Sequence, residues 1–398
     1  MNVYLLGLAK ELGRRGIKVD VFTRVHDPKD PQIVPLGENS RVIHILAGPV
    51  DEDKEQLHQF LPDFVQGLLS FTEQHDICYD LLHAHYWYSA TAGLALKARC
   101  QVPLVTCFHT LAEVKLKYRP GQQESPLRLQ AERDAVAQAD AIFAFTEEEK
   151  GHLVDLYGAS SDLVHVVPGG VDMTLFRPLG KREARAKLGI PAGRRVVSYV
   201  GRMEPFKGVE LLLQSVAALR DRSNLEVLFL GGGSPEEDPA EMASLKRMAT
   251  EMGIGDVCRF LGSIPQEQLP VYYSASDLCA VPSFYESWGF VAIEAMACGT
   301  PVVAMRVGGL AVTVLDGVTG LLVSERQPEL WARSIEGLLE DEERRQALGQ
   351  AGQRWAQRFA WPPVADQVLN VYHSLRVTES AGESEWKWPS SVLGGHSL

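Results

Sequence analysis

Short β-type runs alternate with helix-length segments along the whole of this chain, and that alternation is what most restricts its fold. Parallel strands need a crossover between them, usually a helix, so the pattern predicts an α/β architecture with parallel sheets. In the first half the runs are Lys18–Thr23, Arg41–Ile45, Tyr79–His83, Leu104–Cys107, Ala141–Phe145 and Val164–Val167. In the second they are Arg195–Gly201, Leu225–Gly231, Cys258–Leu261, Asp277–Val281, Pro301–Ala304 and Gly320–Val323. Between the halves lies P-G-G-V-D-M-T-L-F-R-P-L-G-K-R, a Pro/Gly-rich connector suited to a domain boundary. A chain of 398 residues accommodates two such domains, each with its own core. The expected division is 1–170 and 171–359, followed by a helix over Arg354–Leu375 broken near Pro362-Pro363. The Ser/Gly/Glu-rich stretch 377–398 is expected to be a disordered tail.

The segment Pro282 to Gly320 carries the strongest chemical signal. It reads P-S-F-Y-E-S-W-G-F-V-A-I-E-A-M-A-C-G-T-P-V-V-A at its start, with Glu286 and Glu294 on either side of a helix start near Gly289. A strand ends at Val281, a loop presents Glu286, and the unpaired N–H groups of the helix start make an anion site. Glu294, one to two turns further in, still reaches a ligand hydroxyl near that start. Two glutamates placed this way are equally compatible with a solvated first turn that simply suits the helix dipole. The stretch V-V-S-Y-V-G-R-M-E-P-F-K-G shifts the balance. There a buried-type strand delivers Arg202 and Lys207 from a turn just ahead of a helix. By themselves the two cations are ordinary turn residues, but an arginine fork and a flexible lysine also hold a diphosphate. Cations, helix-start amides and two hydroxyl acceptors together describe a nucleotide-sugar site.

G-R-M-E-P-F-K-G, E-S-W-G-F-V-A-I-E, G-T-P-V-V-A, V-G-G and D-G-V-T-G-L-L-V resemble the retaining glycosyltransferases of family four, from Met1 to about Arg376. The resemblance implies the GT-B fold, two Rossmann-like domains facing a cleft, with acceptor bound by the first domain and nucleotide sugar by the second. It also implies that the terminal helix, 360–376, crosses back onto the first domain. By the family's motifs Arg202, Lys207 and Glu286 are catalytic, and Trp288, Gly289, Phe290 and Glu294 bind the donor. The segment V-P-L-V-T-C-F-H-T ends an apolar strand at His109, whose imidazole is expected to protrude; strand-end histidines are otherwise often structural. The match to the family's H-T-L segment makes His109 a catalytic residue that contacts the donor sugar. One departure concerns the start. M-N-V-Y-L-L-G-L-A-K-E-L-G-R-R-G already reads as a helix with a glycine stop, where a Rossmann half opens with a strand and a glycine-rich turn. The expectation is that the first strand of the N-terminal domain is missing, or that it lies upstream of Met1.

D-K-E-Q-L, H-A-H-Y-W, C-F-H-T-L-A-E-V-K and Arg128 look closest to the D-inositol-3-phosphate glycosyltransferases of mycothiol biosynthesis. Sucrose-phosphate synthases share part of this pattern. Carried over, Lys54, Tyr86, Thr110 and Arg128 surround the acceptor's phosphate or its neighbouring hydroxyls, a donor set chemically suited to phosphate. Lys54 read without the resemblance is a surface cation. Trp288 stands where the family more often has phenylalanine, and the loop Lys115–Ser125 differs from the inositol enzymes.

Other features narrow the class. A formal net charge of −12 argues against a nucleic-acid partner, for which a basic surface is expected. Cys78, Cys100, Cys107, Cys258, Cys279 and Cys298 form no C-x-x-C pair and read as reduced residues of a cytoplasmic protein. No run is apolar and long enough to span a membrane, and no basic-then-apolar leader is recognised. His83 and His85 share a strand face in H-x-H, a metal-compatible pattern, but no third ligand follows at a telling spacing. Asp51-Glu52-Asp53 has a D-x-D spelling, yet it precedes K-E-Q-L-H-Q-F-L and is read as an acidic N-cap. No metal or other cofactor is therefore expected. The predicted activity is metal-independent transfer of a sugar from a nucleoside-diphosphate sugar, UDP by family default, to an acceptor hydroxyl, with a phosphorylated polyol or sugar as the acceptor class the resemblance implies. Partners are the donor and acceptor small molecules, with a homodimer allowed. The rival readings are a non-catalytic or truncated nucleotide-sugar binder and, less favoured, a UDP-sugar epimerase.

Overall fold

The computed structural model describes residues 2–53, 55–118, 123–232 and 239–377. Lys54 and the expected tail beyond residue 377 lie outside the described residues. The chain divides into two compact units, Gly169–Trp361 and Met1–Pro168 joined by the segment from Pro362 onward.

In order along the chain, the strands of the first unit are β1 (Val19–Arg24), β2 (Ile33–Gly37), β3 (Ser40–Ile45), β4 (Leu82–His85), β5 (Leu104–Cys107), β6 (Ala141–Ala144) and β7 (Val164–Val166). Those of the second are β8 (Arg195–Val200), β9 (Leu225–Leu230), β10 (Cys258–Gly262), β11 (Leu278–Val281), β12 (Val302–Met305) and β13 (Gly320–Val323).

The second unit is one six-stranded parallel sheet in the order β10-β9-β8-β11-β12-β13. This is the doubly wound Rossmann order, and its chain reversal falls between β8 and β11. Strands β9, β11 and β12 are buried at every position, which explains why they read as unbroken apolar runs. Helix Val209–Ala217 buries Leu211, Leu212 and Leu213 in the same core as Trp331, Ile335 and Leu338 of helix Pro328–Glu340. Each fully buried leucine contributes about 1.5–3 kcal/mol by leaving water. At the opposite end from the chain reversal's mouth, buried Asp277 ties elements together. It accepts from the Val196 amide (2.7 Å), from Arg185 (2.9 Å) and from Lys181 (2.5 Å). The strand thus begins at Leu278, with Asp277 just outside it.

In the first unit the strands form two sheets, β1-β3-β2 and the all-parallel β4-β5-β6-β7. No strand precedes helix Asn2–Arg14 among the described residues, and β1 and β4 each end their sheet. Phe22 of β1 and Leu82 of β4 nevertheless pack against one apolar cluster with Val65, Leu68 and Leu96. The strand expected over Tyr79–His83 runs instead from Leu82 to His85. Tyr79 is diverted by its hydroxyl, which donates to Asp20 at 2.5 Å, while Arg41 holds the same carboxylate at 2.7 and 3.0 Å. β2 was not among the expected strands; its Pro35 is tolerated because the strand lies at the sheet edge, antiparallel to β3. The expected acidic N-cap at Asp51–Asp53 is not formed. The next helical turn is a 3₁₀ segment, Leu57–Phe60, flanked by Gln56 with no capping side chain. The helical run expected over Arg354–Leu375 is interrupted beside the prolines as expected: one helix ends at Ala356, a 3₁₀ turn covers Gln357–Phe359, and the final helix, Trp361–Val377, carries Pro362 and Pro363 in its first turn, where missing N–H groups cost nothing. It is fastened to the first helix, Arg15 donating to Asp366 (2.5 Å) and to the Pro362 carbonyl (2.6 Å).

Candidate active site

Open parallel sheets bind ligands outside the strand C-termini at the reversal point. In the second unit those are the ends of β8 and β11, and Lys207 and Glu286 come together there. The chain leaving β8 turns at Gly201, continues through a 3₁₀ turn Pro205–Lys207, and enters helix Val209–Ala217. The chain leaving β11 runs through Pro282 to Glu286. The two loops are joined by the Phe284 amide, which donates to the Phe206 carbonyl at 2.9 Å. Gly208 (φ 72°) permits this approach, since a Cβ there would lie 2.2 Å from the Pro282 oxygen. Lys207 Nζ donates to Glu286 Oε1 at 2.5 Å, with both side chains 19% exposed, and Ser283 donates to the same oxygen at 2.9 Å. The V-G-G segment supports the loop from below: the Gly309 amide donates to the Glu286 carbonyl at 2.7 Å. A Cβ on Gly309 would fall 2.3 Å from Trp288 Cα.

Gly289, in a left-handed conformation (φ 92°), precedes helix Phe290–Ala297. Glu294 on that helix is buried, accepts from the Tyr273 hydroxyl at 3.0 Å, and has its pKa pushed up to about 7 by burial. Arg202 stands apart from the Lys207–Glu286 pair. It is 68% exposed and pairs with Glu204. Trp288 is placed differently from expectation: its indole is buried and donates to the Gly169 carbonyl at 3.1 Å, edge-on to Phe359. The ring is a packing residue of this unit, and only its main chain borders the helix start. Ser283 and Tyr273, which orient the two glutamates, were missed. Ser283, three residues before Glu286, was the available signal for the first; nothing local flags Tyr273.

In the first unit His109, Thr110, Tyr86 and Arg128 come together. His109 follows β5 with a left-handed backbone (φ 60°) that turns its ring back over the sheet. It is buried among His85, Tyr4 and Phe145, with His109 Nε2 3.0 Å from His85 Nδ1. The imidazole thus does not protrude as expected. Burial lowers the His109 and His83 pKa values to about 3 and lowers that of His85 as well, so all three rings are neutral at neutral pH. Arg128 is also buried and already held on several sides. It donates to Glu132 (2.8 Å), to Glu124 (3.1 Å) and to the carbonyl and hydroxyl of Thr110 (3.0 and 3.2 Å), and its guanidinium lies 5.2 Å from the Tyr86 ring centre. Glu132 is fully buried and satisfied by Arg128, the Ala112 amide and the Tyr157 hydroxyl, so it is structural. Glu124 precedes helix Pro126–Gln138 and is bonded also to Lys115. These carboxylates had no signal in the sequence beyond the i−4 and i+4 spacing around Arg128.

Comparison with known proteins decides the family. Residues 1–175 match Glycosyltransferase Family 4, and residues 180–355 match Glycosyl transferases group 1. The chain belongs to the group 1, family four glycosyltransferases. It is 42% identical to the D-inositol 3-phosphate glycosyltransferase of Corynebacterium efficiens, over 96% of this chain and 92% of that protein. The Kineococcus radiotolerans protein of the same name is 41% identical, over 94% and 89%. Among solved structures, a sucrose-phosphate synthase from Thermosynechococcus elongatus superposes with a TM-score of 0.88 at 34% identity, covering 95% of this chain and 94% of that one. The Anabaena protein HepE, solved with UDP-glucose, gives 0.74 at 23% identity (94% and 95% covered) and shares the fold. The protein is therefore a glycosyltransferase built of two Rossmann-like α/β units of the GT-B type. No helix among the described residues is long and apolar enough to cross a membrane.

Proposed function

We propose that this glycosyltransferase moves a sugar, with retention of anomeric configuration, from a UDP-sugar to a hydroxyl of a phosphorylated polyol of the inositol-phosphate type. The observation that carries the donor half is the Lys207–Glu286 pair across the ends of β8 and β11. In this structure each charge compensates the other. A bound diphosphate takes the lysine, and the freed Glu286 carboxylate then accepts from sugar hydroxyls. Arg202, exposed and able to leave Glu204, adds a second cation, and the amides at Gly289 and Phe290 face the same anion. Glu294 is assigned to the ribose hydroxyls. Negative charge that develops on the departing diphosphate is offset by these groups, which is where the rate gain arises. No step in this course calls for a metal ion.

The acceptor half rests on Arg128, Thr110 and Tyr86, with Lys54 assigned beside them by resemblance. A phosphate displaces Glu124 from Arg128 and leaves Glu132 in place. His109 is assigned to the donor sugar near the reacting carbon. The acceptor hydroxyl attacks on the face the diphosphate leaves, and a phosphate oxygen takes its proton. Relatives named for D-inositol 3-phosphate favour that acceptor class. The protein is placed in the cytoplasm, in keeping with its free cysteines. Product analysis by NMR, with UDP-, ADP- and GDP-sugars crossed against inositol phosphate, fructose 6-phosphate and neutral polyols, tests the proposal. An α-linked product from an α-configured UDP-sugar and a phosphorylated acceptor supports it, whereas turnover only on neutral acceptors removes the phosphate reading.

A further inference from the structure

The H-x-H pair lacks a third ligand in sequence spacing, but strand register supplies one. His85 of β4 stands opposite Cys107 of β5 in the parallel ladder, so their side chains leave the same face of the sheet. Two residues after Cys107, the left-handed backbone of His109 returns its ring to that face. The outcome is a cluster in which one ligand atom from each of His85, Cys107 and His109 lies within 4.8 Å of the others, all three residues buried. The histidine nitrogens are already 3.0 Å apart.

We propose that His85, Cys107 and His109 form a buried binding site for a soft or borderline transition-metal ion, with Zn²⁺ as the reference case. Zinc bonds of about 2.0–2.1 Å to nitrogen and 2.3 Å to sulfur place tetrahedral ligand atoms about 3.3–3.6 Å apart. The nitrogens have to part by a few tenths of an ångström, and the sulfur, now within 4.8 Å of both, has to close to about 3.6 Å. Two imidazoles and a thiolate are the donor set that zinc and copper(I) prefer over magnesium or calcium. No carboxylate belongs to the cluster, which further disfavours the hard cations. His83 lies beside the site, its ring centre 4.1 Å from that of His85, and its buried Nε2 has no hydrogen-bond partner.

The balance of the binding step is simple. The ion takes the place of the proton between His85 and His109, which moves to the far nitrogen of its own ring. Cys107 loses its thiol proton to solvent, so one proton leaves per ion bound. The fourth tetrahedral position is left to water. Occupancy ties down His109 Nε2, and, resting on the assignment of His109 to the donor sugar, the ion inhibits transfer while UDP still binds the second unit.

The test uses the reduced full-length chain carrying Cys78→Ser, because Cys78 is exposed and would bind metal adventitiously. Co²⁺ titration is expected to give a thiolate-to-cobalt absorption band that saturates at one equivalent, and competition with Zn²⁺ is expected to erase it. Cys107→Ser is expected to abolish the band and to weaken Zn²⁺ binding by about tenfold or more. Cys107→Ala is the second variant, with thermal unfolding as the check that each is folded. Proton release makes affinity rise about tenfold per pH unit while the thiol is protonated. No saturable band in the parent, or a band that persists without Cys107, overturns the site. These readouts do not depend on activity, so loss of the band and failure of the glycosyltransferase reading are separable.

Discussion

Replacing Lys207 by alanine removes the cation that bridges the two loops of the nucleotide half-site. Its Nζ now donates to Glu286 Oε1 at 2.5 Å, and both groups are partly shielded at 19% exposure. For stability the loss is small. A partly exposed ion pair of this kind contributes no more than about 1 kcal/mol, and Ser283 still donates to the carboxylate left behind. For binding the loss is larger, because a hydrogen bond to a charged group is worth about 1.5–3 kcal/mol. At 1.4 kcal/mol per tenfold, UDP affinity is expected to fall by a factor of about 10–150. Glu286→Gln gives the opposite sign: it frees the lysine from its competing carboxylate, so UDP binds as tightly as before or more tightly, while sugar transfer falls. Calorimetry with UDP on both variants, with unfolding curves alongside, separates the two effects. Unchanged UDP affinity in Lys207→Ala, or weakened affinity in Glu286→Gln, would refute the exchange of partners on which the donor site is built.

Glu294 has a folded-state pKa near 7 against an ordinary 4.5, so the native state holds its proton more tightly than the unfolded chain. The resulting penalty is absent below pH 4.5, grows as pH rises, and is complete above about 7, reaching about 3 kcal/mol. Glu294→Gln is thus expected to raise the melting temperature relative to the parent at pH 8 and hardly at all at pH 4.5; a pH-independent difference counts against it. Trp288→Phe leaves the Gly169 carbonyl unpaired and is expected to cost about 1–3 kcal/mol of stability in denaturant titration with little change in UDP affinity. Glu124→Gln loosens one side of Arg128 and is expected to lower KM for phosphorylated acceptors, whereas Arg128→Met leaves buried Glu132 without its counter-charge and costs about 3–5 kcal/mol. An acceptor KM indifferent to Glu124→Gln would take Arg128 out of the acceptor site.

Much of this architecture is legible from residue pattern, because parallel strands buried on both faces have to be continuous apolar runs. Leu104–Cys107 and Gly320–Val323 fall where the pattern places them. What escapes is set by contacts distant in sequence. Tyr79 leaves its expected strand for Asp20, and Pro35 sits in a strand only because that strand is an edge. In the candidate site, Lys207 and Glu286 are named by their motifs, but their contact follows from β8 and β11 being neighbours, which strand order alone determines. The inward turn of His109 and the buried indole of Trp288 were hidden for the same reason: residue type signals a site, and backbone conformation decides which atoms face it. The His85–Cys107–His109 cluster is the extreme case, assembled by register across two strands with no local spacing to reveal it.

The reaction proposed for this protein is sugar transfer from a nucleoside-diphosphate donor. Its most direct test is release of nucleoside diphosphate from the folded protein supplied with UDP-sugar and inositol phosphate. Acceptor-dependent UDP release is expected, stoichiometric with a glycosylated acceptor and strongly reduced in Lys207→Ala. A folded protein that binds UDP-sugar yet forms no glycosylated product with phosphorylated or neutral acceptors would contradict it.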